Sequence, residues 1–207
     1  MFLSGRQAAD VLAGAGLCRR QARRVLAAGL AGDPVVTRGA HLFSEARVRE
    51  LLDRPHVTPE ELDSVGTSLL FLARRQVDVR APLPDQLTVL AVGWDIGLTL
   101  SVLIRARARQ EGWVPLVATV GGFVASGADI LDLRACSPSG SRRNLVLREP
   151  GSWFDAFRGK RLPFGPGRDF LLHGWTPGRP IHVQRSRPAV PGGGVGGSTH
   201  PTPEENA

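Results

Sequence analysis

The chain has 207 residues, 42% of them hydrophobic, with 26 basic against 19 acidic side chains and a formal charge of +7. That length allows one domain or two small ones, and the ordinary globular composition excludes a wholly disordered, collagen-like or very highly charged chain. Lys160 is the only lysine, so the positive charge is almost entirely guanidinium, the group that pairs bidentately with phosphate. Two cysteines, Cys18 and Cys136, are too few for a disulfide framework and show no metal-ligand spacing. The start, MFLSGRQAAD, has no charged leader followed by an apolar run, and the expected location is the cytoplasm. The apolar stretch Leu87 to Ile104 is long enough to suggest a membrane span, but Asp95 near its middle, with Gly93, Gly97, Thr99 and Ser101, argues against one. No membrane partner is expected.

Residues 1–55 are the basic part for their size, with nine arginines and five acids. Ser4 and Gln7 have the spacing of a capping box, and Ala8, Val11, Leu12 and Ala15 follow at helical spacing, predicting a first helix over 5–13. Gly14 and Gly16 bracket a turn. A second helix then places Ala22, Val25, Leu26 and Leu30 on one face, with Arg19, Arg20, Arg23 and Arg24 largely outside it and Gly29 as its stop. Two short helices joined by about four residues form the layout of a helix-turn-helix. In AGDPVVTRGAHLF, Asp33-Pro34 starts a turn, Val35-Val36 and Leu42-Phe43 can pair, and Arg38-Gly39 forms a tip, which makes a small wing. Ser44 caps a third helix with Val48, Leu51 and Leu52 inward and Pro55 at its close.

The order GRQAADVL, GLCRRQARRVLAAGL, a short wing and LFSEARVRELL resembles the winged helix-turn-helix of MerR-type regulators and phage excisionases over residues 3–54. The resemblance implies duplex DNA as partner and transcription regulation as function. It would put Arg19, Arg20, Arg23 and Arg24 on the recognition helix, with Arg38 and His41 reaching phosphates or the minor groove from the wing. Cys18 stands where Ser or Thr is usual as the cap, and the long dimerisation helix of MerR-type regulators is missing. RRQARRVLAAG is also similar to the small RNA-binding fold of certain ribosomal proteins and pseudouridine synthases, although Leu30-Ala31-Gly32-Asp33 follows where that family continues into a Val-x-Val-Asn-Gly strand. A third reading is a module that docks an acidic protein partner, with apolar contacts around Leu30 and Leu42.

RPHVTPEELDS, from Arg54, and APLPD, at 81–85, break the pattern, so residues 56–85 read as a connector with a short strand or helix in LDSVGTSLLFLARR. Gln86 to Val92 starts a second core. Leu98 to Gln110 is expected as a helix stopped by Gly112, with a strand as the alternative for RARAR. From Val114 the pattern becomes that of a meander or hairpins: PLVATV, Gly121-Gly122, FVASGADILDLRA, a turn at SPSGS, and RNLVLREP. Trp153, Phe154 and Phe157 share a face that reads as core. The loop FRGKRLPFGPGR, with Arg158, Lys160, Arg161 and Arg168, reads as an exposed loop or a second phosphate contact. RDFLLHGW is a closing strand, and the Gly/Pro-rich residues 186–207 are expected to be a disordered tail.

No G-x-S-x-G, Walker, H-E-x-x-H or C-x-x-C pattern occurs, and the five histidines lack ligand spacing. Asp129 and Asp132 read as solvated or turn-forming rather than as an acid/base pair, and His173 as structural. The expectation is a non-enzymatic α+β protein without cofactor or metal. It comprises a winged helix-turn-helix-like three-helix domain (1–55), a connector (56–85), an α+β domain of antiparallel strands (86–185) and the tail.

Overall fold

The computed structural model describes residues 1–137, 140–162 and 169–174. The expected tail at 186–207 and Arg168 lie outside the described residues. The fold is α+β, with six α-helices and two sheets among the described residues.

The N-terminal elements are strand β1 (Phe2–Ser4), helix α1 (Gly5–Leu12), a 3-10 turn (Ala13–Ala15), helix α2 (Arg19–Ala27), strands β2 (Val35–Thr37) and β3 (Ala40–Ser44), and helix α3 (Glu45–Leu52). Ser4 and Gln7 form the reciprocal capping box, the Gln7 amide oxygen accepting from the Ser4 N–H at 2.9 Å. The first helix ends one residue earlier than its periodicity suggested, because the chain tightens into the 3-10 turn and reverses at Gly16 with φ of 77°. The hairpin β2–β3 forms about the Arg38-Gly39 tip, with Thr37 opposite Ala40 and Val35 opposite Leu42. β1 has no counterpart in the sequence reading; it pairs antiparallel with β3, so the hairpin becomes a three-stranded sheet of order β1-β3-β2.

Helix α4 (Pro59–Asp63), capped by Thr58, precedes strand β4 (Leu70–Arg74), which is the short strand admitted within the connector. There follow helix α5 (Leu83–Ala91), strand β5 (Trp94–Asp95), helix α6 (Leu98–Glu111), strands β6 (Val114–Val120), β7 (Phe123–Ala135) and β8 (Arg142–Arg148), a 3-10 turn (Ser152–Ala156) and strand β9 (Phe170–His173). The second sheet has the order β5-β8-β7-β6-β4-β9. The strands within residues 86–185 pair antiparallel as expected, β5 with β8, β8 with β7 and β7 with β6, while β4, from the connector, runs parallel to β6. A parallel pair needs a long crossover, and α5 and α6 supply it, so RARAR lies in helix α6 with Gly112 as its left-handed stop.

β4 shows why this strand lacks alternation in its sequence. Leu69, Phe71 and Ala73 enter the core beneath α5 and α6, while Leu70 and Leu72 enter a second core on the opposite face with Phe154 and Phe157. A strand buried on both faces reads as a continuous apolar run. Trp94 packs edge-to-face on Phe71 with centroids 5.4 Å apart, and Phe154 and Phe157 are buried as expected of a core face.

The N-terminal helices do not close their core by themselves. Val120 and Phe123, at the ends of β6 and β7, join Leu12, Val25, Val48 and Phe43 in one cluster. Between these two strands, Gly121 and Gly122 form a two-residue loop with φ of 60° and 85°, the double positive φ of a tight hairpin turn. Carbonyls at the C-terminal end of α2 accept from the following segment: Ala27 O from Arg80 Nη2 at 3.1 Å and Ala28 O from Val79 N–H at 2.9 Å, while Arg24 O, which also accepts from the Ala28 N–H, takes a second bond from Gln76 Nε2 at 3.0 Å. All described residues accordingly fall in one compact unit.

Asp129, on β7, is buried. It accepts from Arg148 Nε at 3.0 Å and from Trp153 Nε1 at 2.9 Å, which ties the aromatic turn to the sheet. The expectation of a solvated or turn-forming Asp129 is corrected: its neighbours Ala128 and Ile130 point into the other core, and strand alternation turns its carboxylate under Trp153. Asp129→Asn places an amide donor against the Arg148 or Trp153 donor. We expect a loss of about 2 kcal/mol in urea unfolding, since Arg148 is half exposed and its charge is partly screened.

Candidate nucleic-acid interface

Helix α2 buries Ala22, Val25 and Leu26 and leaves Arg19, Arg20, Arg23 and Arg24 exposed, as the 3.6-residue period requires. Cys18 is its N-cap; the Cys18 N–H donates to Gln21 Oε1 at 3.0 Å, so the second half of the capping device survives without a hydroxyl. None of these four arginine side chains takes part in an ion pair or hydrogen bond among the described residues. Other cations are neutralised: Arg49 by Glu45, Arg80 by Asp78, Arg105 by Asp132, Arg107 by Glu111, Arg148 by Asp129 and Arg158 by Asp155.

Arg38 and His41 are exposed on the β2–β3 hairpin, Arg38 at its tip. Val35 and Val36 are exposed beside them, Val36 at 69%. Leu30 and Leu42 are half-buried, Leu30 against the N-terminal core.

One flank of α2 is covered. Gly121 approaches so closely that a Cβ there would lie 2.6 Å from Val25 Cγ2. Beside this contact is a cleft of about 210 Å³, bounded by α2, the end of β4 and the Gly121-Gly122 turn, and lined by Arg24, Arg74, Arg75, Gln76 and Arg161 among others. Arg24 therefore borders the cleft, whereas Arg19, Arg20 and Arg23 are not among its lining residues. The Arg75 guanidinium lies 4.3 Å over the Trp94 ring and donates to Val92 O. Burial lowers its pKa from the ordinary arginine value, and the Asp169 carboxylate acts in the opposite direction. Arg161 donates from Nη2 to Ala15 O at 2.8 Å and lies 5.2 Å over Phe123.

The structure separates the arginines of the loop read as a second phosphate contact. Arg158 pairs with Asp155, Lys160 with Glu61, and Arg161 alone of the three lines the cleft. His173 Nε2 lies 3.1 Å from Asp63 Oδ1. Sequence reasoning did not single out Arg74, Arg75 or Gln76; their signal was two adjacent arginines at the end of an apolar run, which has no meaning until β4 is placed beside α2. Among the described residues no group of three or more His, Cys, Asp or Glu side chains could hold a metal ion, and no helix is long and apolar enough to cross a membrane. Comparison with protein-family models, with curated proteins and with solved structures finds no match to this chain.

Proposed function

We propose that this protein binds duplex DNA through a winged helix-turn-helix formed by α1, α2, the β2–β3 hairpin and α3, and that it regulates transcription. The observation that carries the reading is the set of bare guanidiniums on α2, in a chain that pairs many of its other arginines with acids. Charge left unneutralised by the protein is available to replace the counterions of a phosphate backbone. Arg19, Arg20 and Arg23 are exposed on α2 and are not among the residues lining the cleft, so they are available to anchor phosphates or meet guanine, and Arg38 and His41 extend the basic surface from the hairpin.

The test is a salt titration of the full chain against mixed duplex, single-stranded DNA and structured RNA, read by fluorescence anisotropy. The full chain is required because Val120 and Phe123 complete the N-terminal core. Duplex preference with a steep salt dependence is expected. Arg19→Ala with Arg23→Ala should weaken duplex binding about tenfold or more and lower the log–log salt slope by about 2. Unchanged binding by that variant would remove α2 as the recognition element, and a preference for RNA would favour the RNA-binding reading.

A further inference from the structure

We propose that the cleft beside α2 is a binding site for a small phosphomonoester, distinct from the duplex-facing arginines and independent of the duplex reading. Four guanidiniums, Arg24, Arg74, Arg75 and Arg161, line it, and no carboxylate among the described residues does. Asp169 is the carboxylate that acts on Arg75, and it lies outside the lining. Gathering Arg24 of α2, Arg75 just beyond β4 and Arg161 around one small space costs electrostatic repulsion, offset in part at Arg75 by Asp169, and a bound anion relieves it.

Two of the guanidiniums are held in place by fixed partners. Arg161 spends one donor on Ala15 O and rests on Phe123; Arg75 spends one on Val92 O and rests on Trp94, with its Nε buried and without a partner. A guanidinium has five N–H donors, so each retains several in a fixed orientation, and a fixed fork loses little entropy on binding. The charge favours phosphate over carboxylate. A carboxylate offers one charge and two oxygens, enough for one fork, whereas a phosphomonoester brings nearly two charges and three terminal oxygens.

Gln76 adds a second requirement. Its Nε2 donates to Arg24 O, which fixes the amide orientation and leaves Oε1 buried without a partner. An acceptor in a ring of donors calls for a ligand hydroxyl as well as an anion. At about 210 Å³ the cleft is smaller than the usual range for drug-sized ligands, which suits a phosphate with a short polyhydroxyl body better than a nucleotide.

The test titrates the full chain with inorganic phosphate and with a sugar monophosphate at constant ionic strength, using calorimetry so that general salting-out stabilisation is not mistaken for binding. A 5′-phosphorylated oligonucleotide and its 5′-hydroxyl counterpart form a separate arm. Saturable binding of the sugar monophosphate, tighter than inorganic phosphate, is expected. Arg24→Gln, whose side chain makes no hydrogen bond or ion pair among the described residues, should weaken it about tenfold or more, while Arg134→Gln, an exposed arginine of β7 outside the cleft lining, should leave it unchanged. No saturable binding, equal loss in Arg24→Gln and Arg134→Gln, or a response confined to the 5′-phosphorylated strand would each overturn the proposal. None of these outcomes bears on duplex binding by Arg19 and Arg23.

Discussion

Replacing Phe123 with alanine should destabilise the protein by roughly 3–5 kcal/mol, the cost of emptying a buried phenylalanine site that cannot collapse. Phe123 is fully buried and belongs to the sheet by chain position but to the N-terminal core by packing, where it meets the cluster of Leu12, Val25 and Val48. Its ring also supports Arg161. At roughly 2–4 °C per kcal/mol for a chain of this size, the thermal midpoint should fall by roughly 6–20 °C. All four tryptophans, 94, 113, 153 and 175, follow the N-terminal elements in the chain, so their fluorescence reports on the later residues, whereas far-UV circular dichroism also reports on α1, α2 and α3. Coincident shifts of both signals are expected, because one side chain serves both parts. A dichroism transition that moves while fluorescence stays would show that the N-terminal elements unfold separately.

Gly121→Val should cost about 2–5 kcal/mol, combining the penalty of a left-handed backbone conformation for a branched residue with overpacking against α2. Gly121 has φ of 60°, and its added Cβ would meet Val25 at 2.6 Å and Leu17 at 3.1 Å. Urea unfolding with the linear extrapolation measures the loss. Gly16→Val is the informative comparison: φ is 77° there but nothing lies within 4 Å, so only the backbone penalty applies and the loss should be about 1–2 kcal/mol. Equal losses at the two positions would mean that the hairpin turn does not press on α2.

The bare arginines of α2 were legible in the sequence because helical periodicity is a local property: once Ala22, Val25 and Leu26 are inside, Arg20, Arg23 and Arg24 must be outside. The cleft was not legible. Arg24, Arg75 and Arg161 are far apart in the chain, and each is ordinary in its own segment. Only the parallel pairing of β4 with β6, and the turn at Gly121-Gly122 pressing on Val25, bring them to one place.

The sequence by itself determined what short-range physics controls. The Ser4–Gln7 box, the stops at Gly29 and Gly112, the Arg38-Gly39 tip and the Gly121-Gly122 turn each follow from backbone donors that need partners or dihedrals that only glycine tolerates cheaply. The tertiary structure alone decided the antiparallel pairing of β1 with β3, the burial of Asp129, the place of Leu70–Arg74 between two cores, and the entry of Phe123 into a core begun more than a hundred residues earlier. The physical reason is that apolar burial has no direction along the chain. A side chain lowers the free energy wherever it finds enclosed apolar surface, and sequence spacing records nothing of where that surface lies.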